Sequence, residues 1–268
     1  MSSTKTLARV LAIAGSDSGG GAGIQADIKT ITALGGFATT AISAITVQNS
    51  LGVGAVMSLT PALVRAQIEA VLSDIGTDAI KTGMLADPFM IETIARTIAP
   101  YAVPLVVDPV MIATSGARLS SDLSVQRLIA LLFPMALLVT PNLPEASTIA
   151  GFEITARDQM ETAARLILDK GPQAVLLKGG HLAGDRIVDL LLTRAGAHWF
   201  DDDKIITRHT HGTGCTLASA IATGLGQQMT LLDAVTRARI YLRRAIDLAP
   251  GFGAGHGPIH HGHPFQAE

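Results

Sequence analysis

With 268 residues, 48% of them hydrophobic, the chain is long enough to bury one large α/β core. A formal charge of −2, a pI near 6.4 and only 4% aromatic residues exclude the basic, base-stacking surface of a nucleic-acid binder. The single cysteine, Cys215, excludes an internal disulfide framework and a thiolate zinc cluster, so a reducing, cytoplasmic setting is expected.

The apolar run Val10 to Ala14 is too short for a signal-peptide core and passes directly into Gly15, Ser16 and Asp17, so it reads as a first strand. Further strands are expected at Ala38 to Val47, Ala79 to Thr82, Leu105 to Asp108, Ala136 to Thr140 and Ala174 to Lys178. Between them the segment after Pro61 sets Val64, Ile68, Val71, Leu72 and Ile75 on one helical stripe, with the proline in the first turn. Thr155 to Asp169, Thr213 to Gln227 and Thr230 to Leu248 have the same period. Arg186 to Thr193, Ala197 to Asp201 and Lys204 to Thr207 read as short antiparallel strands at one edge. The longest apolar stretch, Leu128 to Val139, is shorter than a membrane span and interrupted by Pro134, so no membrane partner is expected. This alternation calls for a mostly parallel sheet covered by helices on both faces. One domain over residues 1–268 is expected, ending in a Gly- and His-rich surface tail from Gly251.

In an open α/β sheet, ligands bind beyond the carboxyl ends of the strands, so the polar and glycine-rich segments that follow strands carry the chemistry. His211-Gly-Thr-Gly-Cys-Thr216 opens into a helix of small residues, a turn that aims backbone N–H groups at one point and suits a phosphate; the same glycines also serve a plain tight turn. Gly15 to Gly23 is a second glycine-rich segment, leading into a helix on which Asp27 falls on the sheet-facing side, where a carboxylate needs either the helix dipole or a ligand donor. Neither segment has the Walker or the dinucleotide spacing, which disfavours those two classes. Asn142 and Glu145 stand three apart around a helix start, an arrangement that suits a hydrated Mg²⁺ beside phosphates and equally a helix cap.

Taken in order, Ala14 to Asp27, Val47-Gln-Asn49, Gly83-Met-Leu85, Asp108-Pro-Val-Met111, Thr140-Pro-Asn-Leu-Pro-Glu145, Lys178-Gly-Gly-His181 and His211 to Thr216 resemble the hydroxymethylpyrimidine/phosphomethylpyrimidine kinases of thiamine biosynthesis. The resemblance implies a ribokinase-like three-layer α/β/α sandwich with an antiparallel edge, ATP and Mg²⁺ as cofactors, a small pyrimidine as substrate, and a homodimer. It places Gly15, Ala22, Asp27, Gln48, Met84 and Val110 around the pyrimidine. A carboxylate and an amide can read an aminopyrimidine edge, and Met84 and Val110 supply apolar contact. By the same resemblance Asn142 and Glu145 organise Mg²⁺ through water, Asp108 assists, and Lys178 lies near the nucleotide phosphates. The resemblance also implies that Gly212, Thr213, Gly214 and Cys215 would form an anion hole, with Cys215 where many ribokinase-like enzymes carry an aspartate base. A thiol of ordinary pKa about 8.5, lowered by a helix N-terminus, would supply a thiolate near neutral pH.

A pyridoxal kinase is the near alternative, because vitamin B6 also carries a hydroxymethyl group on a small heteroaromatic ring. A ribokinase-fold dehydratase that uses ATP only as an energy source, or a silent ligand sensor, are alternatives outside kinases. His209 departs from the family pattern and no contact is carried over to it. His256, His260, His261 and His263 read as part of the surface tail, and Arg237, Arg239, Arg243 and Arg244 as a solvated helix face.

Overall fold

The computed structural model describes residues 7–111, 120–182 and 184–266. The chain runs β1 (Ala8–Asp17), α1 (Gly23–Ala33), β2 (Gly36–Asn49), β3 (Gly52–Ser58), α2 (Pro61–Ala70), β4 (Ala79–Thr82), α3 (Pro88–Ile98) and β5 (Leu105–Val107). It continues through α4 (Asp122–Leu131), β6 (Leu138–Val139), α5 (Leu143–Ala150), α6 (Arg157–Leu168), β7 (Ala174–Leu177), β8 (Arg186–Thr193), β9 (Gly196–Asp203), α7 (Thr213–Gly226) and α8 (Leu231–Asp247). The strands form one nine-stranded sheet in the order β3-β2-β1-β4-β5-β6-β7-β8-β9. From β2 to β7 through β1 the pairing is parallel.

Alternation along the central strands divides the core into two layers. Leu11, Ile13, Leu105, Val107, Val139, Val175 and Leu177 face one apolar cluster with Val64, Ile68, Met90, Ile94, Ala163 and Ile167 from α2, α3 and α6. Val10, Val106, Leu138 and Leu176 face the opposite cluster with Ile31, Leu217, Ile221 and Val235 from α1, α7 and α8. Residues Thr216 to Leu225 of α7 are all buried, because α1, α8 and the sheet surround the helix. Small residues permit this: a side chain on Gly224 would press into Ala234 of α8. Among the described residues no helix is long and apolar enough to cross a membrane.

Both sheet edges are antiparallel, whereas the pattern pointed to one. The additional edge is β3, which pairs with β2 through a tight turn at Ser50 and Leu51. Its sequence, Gly-Val-Gly-Ala-Val-Met-Ser, lacks the run of branched residues that marks a strand. At the other edge β8 and β9 form the expected hairpin. The strand expected over Lys204 to Thr207 does not form. The Lys204 N–H bonds the Asp185 carbonyl as the chain leaves the sheet, and the Lys204 side chain turns back to the Leu182 carbonyl. The helices α3 and α4 also escaped the sequence reading, although each starts from a side-chain cap, Asp87 and Ser121 respectively.

One polar contact lies inside this apolar frame. Alternation along β4 sends Ile80 to the α2–α3 layer and Lys81 to the α1–α7 layer, where both Lys81 and Asp27 are 0% exposed. Lys81 Nζ lies 2.8 and 3.0 Å from the two Asp27 carboxylate oxygens, and Ser219 Oγ donates to Asp27 Oδ1 at 2.6 Å. Burial works against the ammonium, but the negative field of Asp27 and its neighbours outweighs it and raises the Lys81 pKa. The pair joins α1, β4 and α7. Removing one partner leaves an uncompensated buried charge, so Lys81→Met is expected to lower the unfolding free energy by about 3–5 kcal/mol. Combining it with Asp27→Leu should recover most of that loss. Urea denaturation of the two variants checks this, and a Lys81→Met loss below ~1 kcal/mol would show that the pair does not hold the layers together.

Candidate active site

β1 hands the chain to β2 on one side and the sheet then continues through β4 on the other, which makes a crevice beyond their carboxyl ends. A cavity of about 620 Å³ opens there. Its walls come from segments that follow β1, β2, β4, β5, β6 and β7, together with the N-terminal turn of α7. Gly15, Ala22, Gln48, Met84 and Val110 line one part of it, and Asp108, Asn142, Glu145, Lys178 and Gly212 to Cys215 line the adjoining part.

The first glycine segment is shaped by Asp17. Its carboxylate accepts from Gly19 N at 2.8 Å, Gly21 N at 3.0 Å, Ala22 N at 2.8 Å and His211 Nε2 at 2.8 Å. Burial pushes the Asp17 carboxyl up, but the bonds from His211, Ala22 and Gly19 outweigh it and hold the group below its ordinary range. The parallel register of β1 with β2 slips at Gly15, where a side chain would press on Met84 Cε. Gly212 has φ +83°, and a Cβ there would overlap the Gly21 carbonyl, so only glycine lets the two loops touch.

That contact places Cys215 between two helix starts. No side chain caps the N-terminus of α7, and the Gly23 N–H at the start of α1 lies close enough to Cys215 to favour its thiolate. Both helix ends favour negative charge. Even so, burial pushes the Cys215 thiol up to about 11, and Lys81 opposes this only in part. The ligand-free site thus raises the thiol where a helix N-terminus alone would lower it, with burial the largest cause and the Asp27 and Asp108 charges adding to it.

Beyond Cys215 lies a cluster of opposite charges. Lys178 Nζ donates to Asp108 Oδ1 at 3.1 Å, and Thr140 Oγ1 donates to the same oxygen at 3.0 Å. A side chain on Gly214 would touch both Lys178 Nζ and Asp108 Oδ2. Asn142 and Glu145 cap α5 reciprocally: Glu145 N donates to Asn142 Oδ1 at 2.9 Å, and Asn142 N to Glu145 Oε2 at 2.8 Å. Burial, with the Asp108 charge adding to it, raises the Glu145 carboxyl to about 7 against the pull of Lys178. Among the described residues no three acidic, histidine or cysteine side chains converge on one point. A Mg²⁺ that keeps several waters and takes its other ligands from phosphates needs only one or two carboxylates, and Asp108 and Glu145 both retain free lone pairs. The residues fit such an ion.

Asp27 does not join the cavity. It is sealed beneath it by Lys81 and Ser219, which correct its assignment as a substrate contact: the partner a buried carboxylate demanded is a lysine of the same chain. Lys81 stands out in the sequence only as a cation inside an apolar strand. Arg239, expected on a solvated face, is buried, paired with Asp189 and Asp202, and stacked over Phe200. The tail from Gly251 is exposed over Gly251 to Ala254 and again over Pro264 to Gln266, but its middle part packs against the fold. Ile259 and His261 are buried, His261 Nε2 lies 3.0 Å from Thr216 Oγ1, and Tyr241 donates to the His261 carbonyl. His211 was read only as the flank of a glycine turn, and no spacing pairs it with Asp17 across 194 positions.

A thiol held near 11 reacts slowly at neutral pH. Iodoacetamide labelling of Cys215 in the ligand-free protein is expected to stay slow up to pH 8.5 and to rise toward pH 11. A midpoint at or below about 8.5 would show that the helix ends prevail over burial.

Comparison with known proteins gives the family. The family model described as phosphomethylpyrimidine kinase matches residues 17–260. A thiamine biosynthesis bifunctional protein, ThiED, of Geobacter sulfurreducens is 48% identical over 94% of this chain, which spans 52% of that longer protein. The hydroxymethylpyrimidine/phosphomethylpyrimidine kinase of Bacillus subtilis is 45% identical, with 96% of this chain and 95% of that protein covered. Among solved structures, the pyridoxal kinase of Staphylococcus aureus in complex with AMP-PCP and pyridoxal superposes with a TM-score of 0.89 at 34% identity, covering 96% of this chain and 94% of that one. With the matched residues running from Asp17 in the first glycine loop through the capped α5 start and the second glycine loop with Cys215, the chain belongs to the phosphomethylpyrimidine kinase family.

Proposed function

We propose that this chain transfers the γ-phosphoryl group of ATP to the hydroxymethyl oxygen of 4-amino-5-hydroxymethyl-2-methylpyrimidine, and a second one to the resulting monophosphate, in thiamine diphosphate biosynthesis. The carrying observation is the juxtaposition in one cavity of a small subsite, lined by Gly15, Ala22, Gln48, Met84 and Val110, with the uncapped start of α7. In this reading the flat ring lies beside Met84 and Val110 with its exocyclic hydroxyl toward Gly212 to Cys215, all of which line the same cavity. On the far side Ile205, Leu217, Leu242 and Ile246 form an apolar wall suited to an adenine base. The relative solved with AMP-PCP supports a nucleotide in this fold.

In this reading Lys178 holds the nucleotide phosphates, and the backbone N–H groups of Gly212, Thr213, Gly214 and Cys215 receive charge that develops on the moving phosphoryl group. Asp108, Asn142 and Glu145 would hold a hydrated Mg²⁺, which supplies charge neutralisation between the phosphates when bound. The hydroxyl oxygen bonds to phosphorus, the bridging oxygen leaves with ADP, and Cys215 Sγ, as the thiolate, takes the hydroxyl proton. A homodimer completes the reading. The β2–β3 edge supports it, with Ile45, Val47 and Met57 exposed on one face of the pair.

Incubation with Mg-ATP and, separately, the pyrimidine alcohol, its monophosphate and pyridoxal, followed by mass spectrometry, is expected to give pyrimidine mono- and diphosphates. Pyridoxal phosphate as the sole product would reassign the site to vitamin B6. ADP release without a phosphorylated product would place the chain among dehydratases, and binding without turnover among sensors.

The role of Cys215 has a separate test. Cys215→Ala preserves the backbone donors, so nucleotide and pyrimidine binding should persist while the single-turnover rate falls by roughly 10²–10⁴-fold. A base whose pKa is raised is present in increasing amount as pH rises, so the wild-type rate should climb through pH 6–9 at about tenfold per unit well below the pKa, and the variant should lack that climb. A variant with the wild-type rate and profile would limit Cys215 to shaping the anion hole.

A further inference from the structure

The Gln48 amide lines the cavity, and which of its ends faces inward decides whether the site offers a ligand a donor or an acceptor. Three neighbours fix that choice. Asp17 accepts from three backbone N–H groups and carries no proton of its own, so the 2.8 Å contact between Asp17 Oδ2 and His211 Nε2 requires the hydrogen to sit on Nε2. The Gln48 amide end lies 3.1 Å from that same ring nitrogen. A ring N–H cannot accept from an amide NH₂. The amide therefore turns its oxygen to His211, an exchange by a half-turn of the terminal torsion that leaves the shape of the side chain unchanged.

The other end of the amide then meets Thr46 Oγ1 at 3.4 Å. Thr46 spends its own proton on the Ser16 carbonyl at 2.9 Å, so its oxygen has a lone pair for an amide N–H. The chain of bonds then closes with one shared proton: the single His211 Nε2–H lies between Asp17 Oδ2 at 2.8 Å and the Gln48 oxygen at 3.1 Å, Gln48 donates to Thr46, and Thr46 donates to Ser16. One N–H of the Gln48 NH₂ group is left, and both Gln48 and Thr46 border the cavity.

We propose that His211, held by Asp17, is a positioning residue that sets substrate specificity: it locks Gln48 with its NH₂ group toward the cavity, so that the site selects a heteroaromatic ring with an unprotonated nitrogen at that edge. This rests on the pyrimidine reading of the subsite given above. It assigns a function in recognition to a histidine that the phosphoryl-transfer chemistry does not use. It also explains why a loop-shaping aspartate of β1 is paired to a residue of the anion-hole segment.

The test compares kcat/KM for the pyrimidine alcohol with that for its two analogues in which one ring nitrogen is replaced by C–H. Wild-type protein is expected to disfavour one analogue by about tenfold or more, since a buried donor would be left unpaired. In His211→Phe the amide is free to turn, and the preference should shrink to within about threefold, through a higher KM for the pyrimidine with the KM for ATP unchanged. Should that variant fail to fold, ¹⁵N-histidine-labelled wild-type protein carries the test, with the proton expected on Nε2 of His211. An unprotonated Nε2, an undiminished preference in His211→Phe, or an equal loss on all three compounds would overturn the proposal. Failure of wild-type protein to phosphorylate any of the three would instead overturn the functional reading, while the protonation of His211 stands or falls separately.

Discussion

The buried ion pair of Asp27 and Lys81 constrains where helix α7 can lie. Asp27 and Lys81 have no access to water, and an ammonium and a carboxylate in that setting must meet with good geometry or be strongly destabilising. Meeting at 2.8 Å, with Ser219 as third partner, they fix the rotation of α7 against α1 and the sheet. Ser219 lies one turn after Cys215 on the same face of α7, so the same contact aims the thiol. Apolar packing alone would tolerate a helix that slides among alanines and glycines. The polar lock supplies the register that those small side chains cannot.

Above that lock the site is made by backbone more than by side chains. Two glycine loops approach until Gly212 fits under the Gly21 carbonyl, and two helices start within reach of one sulfur. Most of the side chains involved hold backbone rather than point at a ligand. Asp17 gathers three N–H groups of its own loop, and Asn142 and Glu145 tie each other to the start of α5. Charge is balanced locally: Lys178 answers Asp108 and Glu145, while Lys81 answers Asp27 and moderates the burial of Cys215.

What could be read from the sequence divides along the same line. Strands β4, β7 and β8 and the amphipathic helices α6 and α8 were legible, since period and burial coincide there. The order of the polar segments gave the cavity wall, because strand ends in a parallel sheet converge whatever the packing. β3 was hidden by its glycines, and α4 by the apolar run that begins inside it at Leu128. The partners of Asp27, His211, Arg239 and His261 were not legible. Each is a contact between segments far apart in the chain, and a buried charge announces only that it needs a partner, not which one. The upward pull on the Cys215 pKa was not legible for a related reason: a helix N-terminus is visible as a motif, whereas desolvation belongs to the assembled fold.

The reciprocal cap of α5 carries a consequence for how this protein can change. Asn142 and Glu145 are immobilised during folding, so their rotamer entropy is already lost before any ligand arrives. A cation or phosphate that uses them meets a rigid template, and its affinity is not reduced by ordering those side chains. The same economy removes a degree of freedom from mutation. Any replacement at either position that adjusts ligand affinity also unties a helix start, worth about 0.5–2 kcal/mol at a typical cap. Variation at this corner of the cavity is thus held to substitutions that satisfy two demands at once, and drift toward new phosphate-bearing ligands has its freer route through the apolar wall of Ile205, Leu242 and Ile246, where no cap is at stake.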